Sequence, residues 1–212
     1  MPLGYISRNR RSGIDFDSKS SMTLDDLGAL LGHARVRAVT DYHGNLNGEH
    51  PSCLIDLYLY VHRVEGLDPG VYRYLDSTHQ LELIKTGDQR ERAAYLSLEQ
   101  GLAARACVAF SMIADLERAG KIFGNRGYRY AHFEAGMIGQ ALYLGAEALG
   151  LNATGMGAFY DDEVHKYLDL SPDRGQVIYH FSVGKAVQDD RLITVGEEPG
   201  IQPIEQKVPD LP

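Results

Sequence analysis

Apolar and small residues recur at helical spacing through one long segment, residues 128–150, which contains no proline. They stand three or four positions apart, and the set includes Ala131, Ala135, Ile138, Leu142, Ala146 and Leu149. This period predicts one α-helix, roughly 35 Å long at ~1.5 Å per residue. Gly150 is expected to end it, because glycine readily adopts the left-handed conformation that closes many helices. We expect this helix to be the central element of the fold.

Glycines inside the predicted helix distinguish it from an ordinary core helix. Gly136, Gly139 and Gly145 each cost about 1 kcal/mol relative to alanine. Their presence indicates that something comes close to the helix backbone, either a neighbouring helix or a flat ligand. Taken alone, the segment is also consistent with a plain core helix.

The rest of the chain combines shorter helical patterns with strands that are mostly joined by hairpins. Helices are predicted over residues 3–11, 23–34, 88–101, 115–122 and 161–168. Strands are predicted over residues 52–64, 71–75, 80–85, 106–113 and 176–183, with a short strand or loop at 153–158. The segments 52–64 and 106–113 are almost continuously apolar, as is typical of central strands. This mixture predicts an α+β fold in which residues 1–187 form one domain.

Two segments lack any clear period. Residues 35–51 include the run DYHGNLNGEHP, and a loop of this length inside a compact domain is often a binding loop or a lid. Residues 188–212 carry four prolines. They are predicted to be an extension that is either unstructured or laid across another surface.

Composition narrows the range of functions. The chain of 212 residues has a formal net charge of −8, which argues against nucleic acid as its main partner and means that a bound phosphate needs local cations. Cys53 and Cys107 lie in apolar runs and form no zinc-type cluster, so we expect buried thiols in a reducing compartment and no metal. No run of ~18 apolar residues and no apolar signal core is present, so we expect a cytoplasmic protein without a membrane partner.

Three short motifs contain residues suited to an anionic or flat ligand. Arg10, Arg11 and Ser12 offer two guanidinium groups and a hydroxyl group for a phosphate. The run GMGAF at residues 155–159 allows backbone amides to approach a ligand closely. Lys185 follows a predicted strand and could supply a further charge. Each motif also fits an ordinary turn or surface, so none of them identifies a site alone.

Histidines give a weaker signal. The eight histidines are scattered along the chain, and each is expected to have a surface or core role. His43 and His50 flank the glycine-rich loop and are the two candidates for acid or base groups.

Taken together, these motifs resemble the flavin-dependent nitroreductases and, within that superfamily, the SagB-type dehydrogenases. RRSGIDF at residues 10–16 resembles the opening motif of the family, and VHRVEGLDPGVYRY at residues 61–74 resembles its hairpin. GNRGYRYAHFEAGMIGQALYLGAEALGL at residues 124–151 is similar to its central helix, and GMGAFYDDEVHKYLDL and VGK follow in the expected order. The hairpin and central-helix matches are the specific ones.

The resemblance implies a mainly antiparallel sheet flanked by helices, in a homodimer that binds FMN at its interface. The proline-rich extension, residues 188–212, would wrap the partner subunit. The implied activity is hydride or electron transfer between a donor, NAD(P)H or the substrate itself, and a small-molecule or peptide substrate.

The resemblance also assigns residues to the cofactor. The groups implied to hold the FMN phosphate and ribityl chain are Arg10, Arg11, Ser12 and Lys185. The residues implied to lie along or beside the isoalloxazine ring are Met156, Gly157, Ala158, Gly44, Asn45 and Leu46.

Two departures from the family pattern keep a second function open. Ile14 stands where the motif RRSxRxF has its next arginine, and Ile122-Phe123 stands where azoline oxidases have a Lys-Tyr pair for proton removal. Lys121 and Tyr128 are the nearest polar candidates for that catalytic role. The alternative function is that of a catalytically degenerate scaffold or partner subunit in a biosynthetic complex. A third alternative is one half of a larger tandem protein.

Overall fold

A computed structural model describes residues 1–34, 54–171 and 175–189 of the chain. The strands in these ranges are β1 (Met22–Thr23), β2 (Ile55–Val61), β3 (Val64–Glu65), β4 (Gly70–Leu75), β5 (Gln80–Thr86), β6 (Val108–Ala114), β7 (Asn152–Met156) and β8 (Gln176–Gly184). The helices are α1 (Leu3–Asn9), α2 (Leu24–Ala34), α3 (Arg90–Leu96), α4 (Gly101–Arg105), α5 (Leu116–Phe123), α6 (Gly127–Ala148) and α7 (Asp161–Tyr167), with a 3₁₀ turn at Gly124–Arg126.

Six of the strands form one sheet in the order β5-β4-β2-β6-β8-β7, and each neighbouring pair is antiparallel. The two central strands, β2 and β6, are buried almost throughout, as their apolar character predicts. Side chains of β2 alternate between two cores. Leu57 and Leu59 pack in the core that includes residues of α2 and α6, whereas Tyr58 and Tyr60 pack in the core that includes residues of α3, α4 and α7. The predicted α+β class with a mainly antiparallel sheet is therefore confirmed.

The long central helix is also confirmed, and α6 ends as expected at Gly150. This glycine has a φ of 70°, and the N–H groups of Gly150 and Leu151 donate to the carbonyl oxygens of Glu147 (3.1 Å) and Ala146 (2.8 Å). This pair of bonds is the Schellman arrangement, which satisfies carbonyls that a helix end would leave unpaired.

Packing explains two of the three glycines that the sequence analysis singled out within the helix, Gly136, Gly139 and Gly145. A Cβ at Gly139 would lie 3.0 Å from the ring of Tyr179, and one at Gly145 would lie 2.8 Å from the side chain of Leu30. The expected close approach is therefore made by the chain's own sheet and by α2. A Cβ at Gly136 would meet no heavy atom within 4 Å, so no described contact requires a glycine there.

One predicted helix is wrong. Residues 88–101 contain α3, but the helix ends at Leu96 and α4 begins only at Gly101, because Leu98 and Glu99 between them adopt left-handed φ angles of 57° and 59°. No glycine or proline stands at positions 97–100, so the helical period gave no sign of the break. By contrast, Thr23 caps α2 as its sequence predicts: its Oγ1 accepts from the N–H of Asp26 (3.0 Å), and Asp26 Oδ2 accepts in return from the N–H of Thr23 (3.1 Å).

Within the described ranges, no helix has both the length and the apolar character that crossing a membrane demands.

Candidate functional site

The start of the chain lies along the free edge of the sheet. β7 is an edge strand, and Ser12 pairs with Ala153 of that strand in parallel. The N–H of Gly13 donates to Ala153 O at 3.0 Å, and the N–H of Asp17 donates to Lys185 O at 2.8 Å. The segment that begins with the two arginines therefore runs beside β7 and past the end of β8. This placement brings three sequence-predicted motifs into one region of the molecule.

Tyr143 of α6 joins the N-terminal segment to β7. Its hydroxyl oxygen is 3.0 Å from Ser12 Oγ and accepts a hydrogen bond from the N–H of Gly155 at 2.9 Å. The guanidinium group of Arg10 lies over the Tyr143 ring, 4.5 Å from its centroid, which is a cation–π geometry. Sequence reasoning missed Tyr143. Its only signal was an aromatic residue beside the inward-facing Leu142, and no motif marks that position.

A backbone N–H group is left available at the end of β7. The contacts of Ala153 and Gly155 show that these alternate residues direct their backbone groups to the free edge of the sheet. Gly157 is next in this alternation and is exposed, and none of the described residues accepts a hydrogen bond from its N–H. A Cβ at Gly157 would meet no heavy atom within 4 Å, whereas one at Gly155 would lie 1.9 Å from Tyr179 Oη. Packing therefore explains Gly155 but not Gly157.

The neighbours of Gly157 differ in what they can offer a ligand. The side chain of Met156 is 3% exposed and packs in the core below α3 and α7, so a surface ligand would meet only its backbone. Ala158 is exposed, and its carbonyl oxygen accepts a hydrogen bond from Gln100 Nε2 at 3.2 Å. Of the predicted ligand-binding residues 156–158, the structure therefore leaves the backbone of Gly157 and Ala158 accessible to a ligand.

Cationic groups cluster at the C-terminal end of α6. Lys185 Nζ donates to Gly150 O at 2.8 Å, and Arg10 lies over Tyr143, which is about two helical turns, or ~10 Å, before Gly150. Arg11 Nη1 donates to the carbonyl oxygens of Arg8 and Arg10, both at 2.9 Å. Arg10 and Lys185, which are far apart in the sequence, therefore both contact the C-terminal part of α6 or the turn that closes it.

Lys121 and Tyr128 lie elsewhere in the chain. Lys121 is exposed on α5, where it forms an ion pair with Glu117. Tyr128 is 63% exposed in the first turn of α6. It precedes Tyr143 by fifteen residues, or roughly 22 Å of helix. Within one chain, the structure therefore does not bring these two predicted catalytic residues to the cationic cluster.

The predicted ring-side residues Gly44, Asn45 and Leu46 lie outside the described residues, as do His43, His50 and Cys53. Most of the 188–212 extension also lies outside them. Cys107 is buried, and this burial raises the pKa of its thiol. Across the described ranges, no group of His, Cys, Asp and Glu side chains is arranged to hold a metal ion.

Two histidines and one glutamate are buried in the core. Burial lowers the pKa of His62 to about 4 and that of His180 to about 3, so both imidazoles are neutral near pH 7, as expected for core histidines. Burial raises the pKa of Glu134 to about 7, even though its Oε1 accepts from the N–H of Leu54 at 3.0 Å. None of the described residues forms a hydrogen bond with Glu134 Oε2.

Comparison with known proteins gives a consistent result. Residues 7–185 match the nitroreductase family. A candidate nitroreductase of Methanocaldococcus jannaschii is 33% identical over 166 residues, which cover 76% of this chain and 81% of that protein. A candidate nitroreductase of Anabaena variabilis has a solved structure with 30% identity and a TM-score of 0.74. That match covers 87% of this chain, but this chain spans only 38% of the Anabaena protein.

Two more distant structures share the fold. One is the Escherichia coli microcin synthetase McbBCD complex with truncated pro-MccB17 bound, at 24% identity and a TM-score of 0.69, covering 86% of this chain and 73% of that one. The other is the NADPH:FMN oxidoreductase of Vibrio harveyi in complex with NAD⁺, at 14% identity and a TM-score of 0.60, covering 88% and 69%.

Proposed function

The chain belongs to the nitroreductase family, and from this premise we propose that it is an FMN-dependent oxidoreductase. The observation that carries the proposal is that Arg10, Ser12 and Lys185 lie around the C-terminal part of α6, and that β7, which begins there, leads to the exposed backbone of Gly157. NAD(P)H or the substrate itself would be the hydride donor. The NADPH:FMN oxidoreductase that shares the fold supports this choice of cofactor and reductant.

The residues present fit the cofactor. An FMN phosphate carries close to two negative charges, and in a chain of net charge −8 it needs local cations. Arg10, Arg11 and Lys185 would supply them, and Ser12 would add a hydroxyl donor. Lys185 bonds one backbone carbonyl, and an ammonium group has three N–H donors, so Lys185 can also donate to a phosphate.

The other end of FMN would meet backbone rather than side chains. The open space at Gly157 is what a flat ring requires, because a side chain there would keep the ring from the backbone. When bound, FMN would supply hydride and electron transfer. The chain's own residues would hold its phosphate, orient its ring, and donate hydrogen bonds from the amides at 157–158. Such fixed donors stabilise developing charge without an acid or base side chain.

We propose that the active protein is a homodimer with FMN at its interface. Gly136 is exposed, unexplained by packing and close to the midpoint of α6, and Phe133 beside it is 54% exposed. A two-fold axis perpendicular to α6 and near Gly136 would set two α6 helices antiparallel. The end of one helix that carries Tyr128 would then lie near the Tyr143 end of the other, so Lys121 and Tyr128 would reach the cofactor of the opposite subunit. An obligate interface of this kind buries above ~2,000 Å².

The substrate is proposed to be a small molecule or a peptide, as in the SagB-type subgroup. The hairpin that carries this resemblance has a clear structural role. Arg63 donates to the carbonyl oxygens of Ser20 (2.8 Å) and Ala106 (3.0 Å), so it ties the N-terminal segment to the end of α4. The structural neighbour that holds truncated pro-MccB17 supports a peptide as one candidate substrate.

A scaffold or partner-subunit function is the alternative, and two positions favour it. Ile14 is 51% exposed, where the family motif would add a cation. Phe123 packs edge-on against Tyr130, with ring centroids 5.1 Å apart, and carries no group for proton transfer. The microcin synthetase neighbour is itself part of a multi-subunit complex.

One experiment separates the two functions. Purified protein is titrated with FMN while flavin fluorescence and absorption are followed, and NADH or NADPH is then added without oxygen. An oxidoreductase should bind FMN and lose the flavin absorption band on reduction, by the nicotinamide or by a supplied substrate. Protein that neither binds FMN nor gains thermal stability from it would support the scaffold and overturn the proposal.

A further inference from the structure

The loop between β7 and α7, residues 157–160, has no regular secondary structure. It is held in place by hydrogen bonds to residues outside the loop. Ala158 O accepts a hydrogen bond from Gln100 Nε2 at 3.2 Å, and the N–H of Tyr160 donates to Leu96 O at 3.1 Å. Both contacts come from the corner between α3 and α4. They fix the loop close to the two residues whose backbone is exposed.

Phe159, in the same loop, rests on a buried chain of polar groups. Its ring stacks on the imidazole of His180, with centroids 4.9 Å apart and an interplanar angle of 25°. His180 Nδ1 is 2.9 Å from Ser97 Oγ, and its Nε2 is 2.9 Å from Ser111 Oγ, which in turn is 3.1 Å from Tyr60 Oη. A neutral imidazole has one donor and one acceptor nitrogen, so both are satisfied and the ring is fixed. Phe159 therefore packs on a rigid surface.

The corner that carries Gln100 has a strained backbone. Leu98 and Glu99 both adopt left-handed φ angles, which residues with a Cβ rarely do. Gln100 Nε2 also donates to Ser97 O at 2.8 Å, so one side-chain amide bonds both its own corner and Ala158. Strain of this kind persists where the surrounding structure enforces it, and it is found most often at functional sites.

The bond from Gln100 also determines where neighbouring peptide groups point. In a planar trans peptide, the C=O and the following N–H point in opposite directions. Because Ala158 O is directed at Gln100, the N–H of Phe159 is directed away from the α3–α4 corner. A residue far away in sequence thus orients the backbone beside Gly157.

We propose that Gln100 is a positioning residue for the ligand site. With His180 behind Phe159, it fixes the peptide group between Ala158 and Phe159, and through that group the adjoining backbone of residues 157–158 in the orientation in which it meets the ligand. The inference rests on the proposed function, in which that ligand is FMN. Gln100 does not touch the reacting atoms in this proposal but acts through the Ala158 peptide group.

The test compares Gln100→Leu, which keeps the size of the side chain but removes its donor, with Gln80→Leu at an exposed position of β5. Hydrogen–deuterium exchange is measured on protein without ligand, and FMN is titrated into each variant. Gln100→Leu should speed exchange in residues 157–160 and weaken FMN binding roughly three- to tenfold, the effect of one hydrogen bond. It should also shift the absorption band of bound flavin. Gln80→Leu should change none of these.

Each outcome decides a separate point. Unchanged exchange at 157–160 in Gln100→Leu would show that Gln100 does not hold the loop. Faster exchange with wild-type FMN affinity and spectrum would show that the loop is held for another reason, which also overturns the inference. If the wild-type protein binds no FMN, the proposed function fails, and the exchange comparison still decides whether Gln100 positions the loop.

Discussion

At the scale of single residues, the candidate site depends on the hydrogen bonds of the Tyr143 hydroxyl group. It joins Ser12 Oγ and the N–H of Gly155, and no local sequence signal predicts either bond. Tyr143→Phe would leave both partners unsatisfied while keeping the ring under Arg10. We expect a loss of about 1–2 kcal/mol in unfolding free energy by urea denaturation, together with weaker FMN binding. Tyr5→Phe, at a residue that is 56% exposed, is the control; equal stability of the two variants would contradict the role of Tyr143.

Glu134 gives a pH-dependent prediction at the same scale. Burial raises its pKa from 4.5 to about 7, so between these values the folded chain holds a proton that the unfolded chain has lost. Stability from this group is therefore present below pH 4.5 and is lost as pH rises to 7, by an amount on the order of 3 kcal/mol. Urea denaturation across pH 5–8 should show that Glu134→Gln removes this loss.

The buried histidines change the stability of the protein with pH in the opposite direction to Glu134. The pKa values of His62 and His180 lie below the ordinary 6.5, so stability falls as pH drops below 6.5 and the unfolded chain gains protons. Glu134→Gln should therefore show a steeper acid-side loss than the wild type. Glu82→Gln, which removes an exposed carboxylate from β5, controls for the change in net charge. If the unfolding free energy of Glu134→Gln varied with pH in parallel with that of the wild type, the raised pKa of Glu134 would be refuted.

At the scale of helices and strands, the features predicted correctly from the sequence are those that depend on residues close together in the chain. The end of α6 at Gly150, the Thr23 cap and the buried strand β6 each depend on residues within a few positions of one another. The break between α3 and α4 was not predicted, because the residue that contacts this corner lies far away in the sequence. Ser97 bonds His180, 83 residues later, and no period within the helix reports such a contact. The junction at Tyr143 was missed for the same reason.

The contrast between two glycines of one segment tests this account of packing. In Gly155→Ala, the new Cβ would lie 1.9 Å from Tyr179 Oη, so either Tyr179 or the edge of β7 must move. Overpacking of this kind typically costs about 1–3 kcal/mol. Gly157→Ala, where the space is open, should leave unfolding of the ligand-free chain unchanged within ~0.5 kcal/mol. Thermal and urea unfolding measure both, and equal losses in the two variants would contradict the packing assigned to Gly155.

At the scale of the whole molecule, the residues of the proposed site do not all lie together within one chain. Arg10 and Lys185 lie near the C-terminal end of α6, the Gly157 amide follows the far end of β7, and the predicted catalytic residues lie towards the start of α6. An antiparallel pair of α6 helices would place these ends together, which gives a physical reason for an exposed glycine at the middle of the longest described helix. A side chain at Gly136 would separate the two backbones without disturbing the monomer, since its Cβ would meet no heavy atom within 4 Å.

The dimer is therefore predicted to be sensitive to this position in a graded way. Gly136→Ala should stabilise an isolated monomer by up to about 1 kcal/mol through helix propensity, yet weaken association. Gly136→Leu should weaken association further. Sedimentation velocity across a concentration series measures the dimer, and an FMN titration on the same samples should show affinity falling with the dimer fraction, because the cofactor site would need both subunits. A Gly136→Leu protein that stays dimeric and binds FMN as the wild type does would place the subunit contact elsewhere and leave Lys121 and Tyr128 without a route to the site.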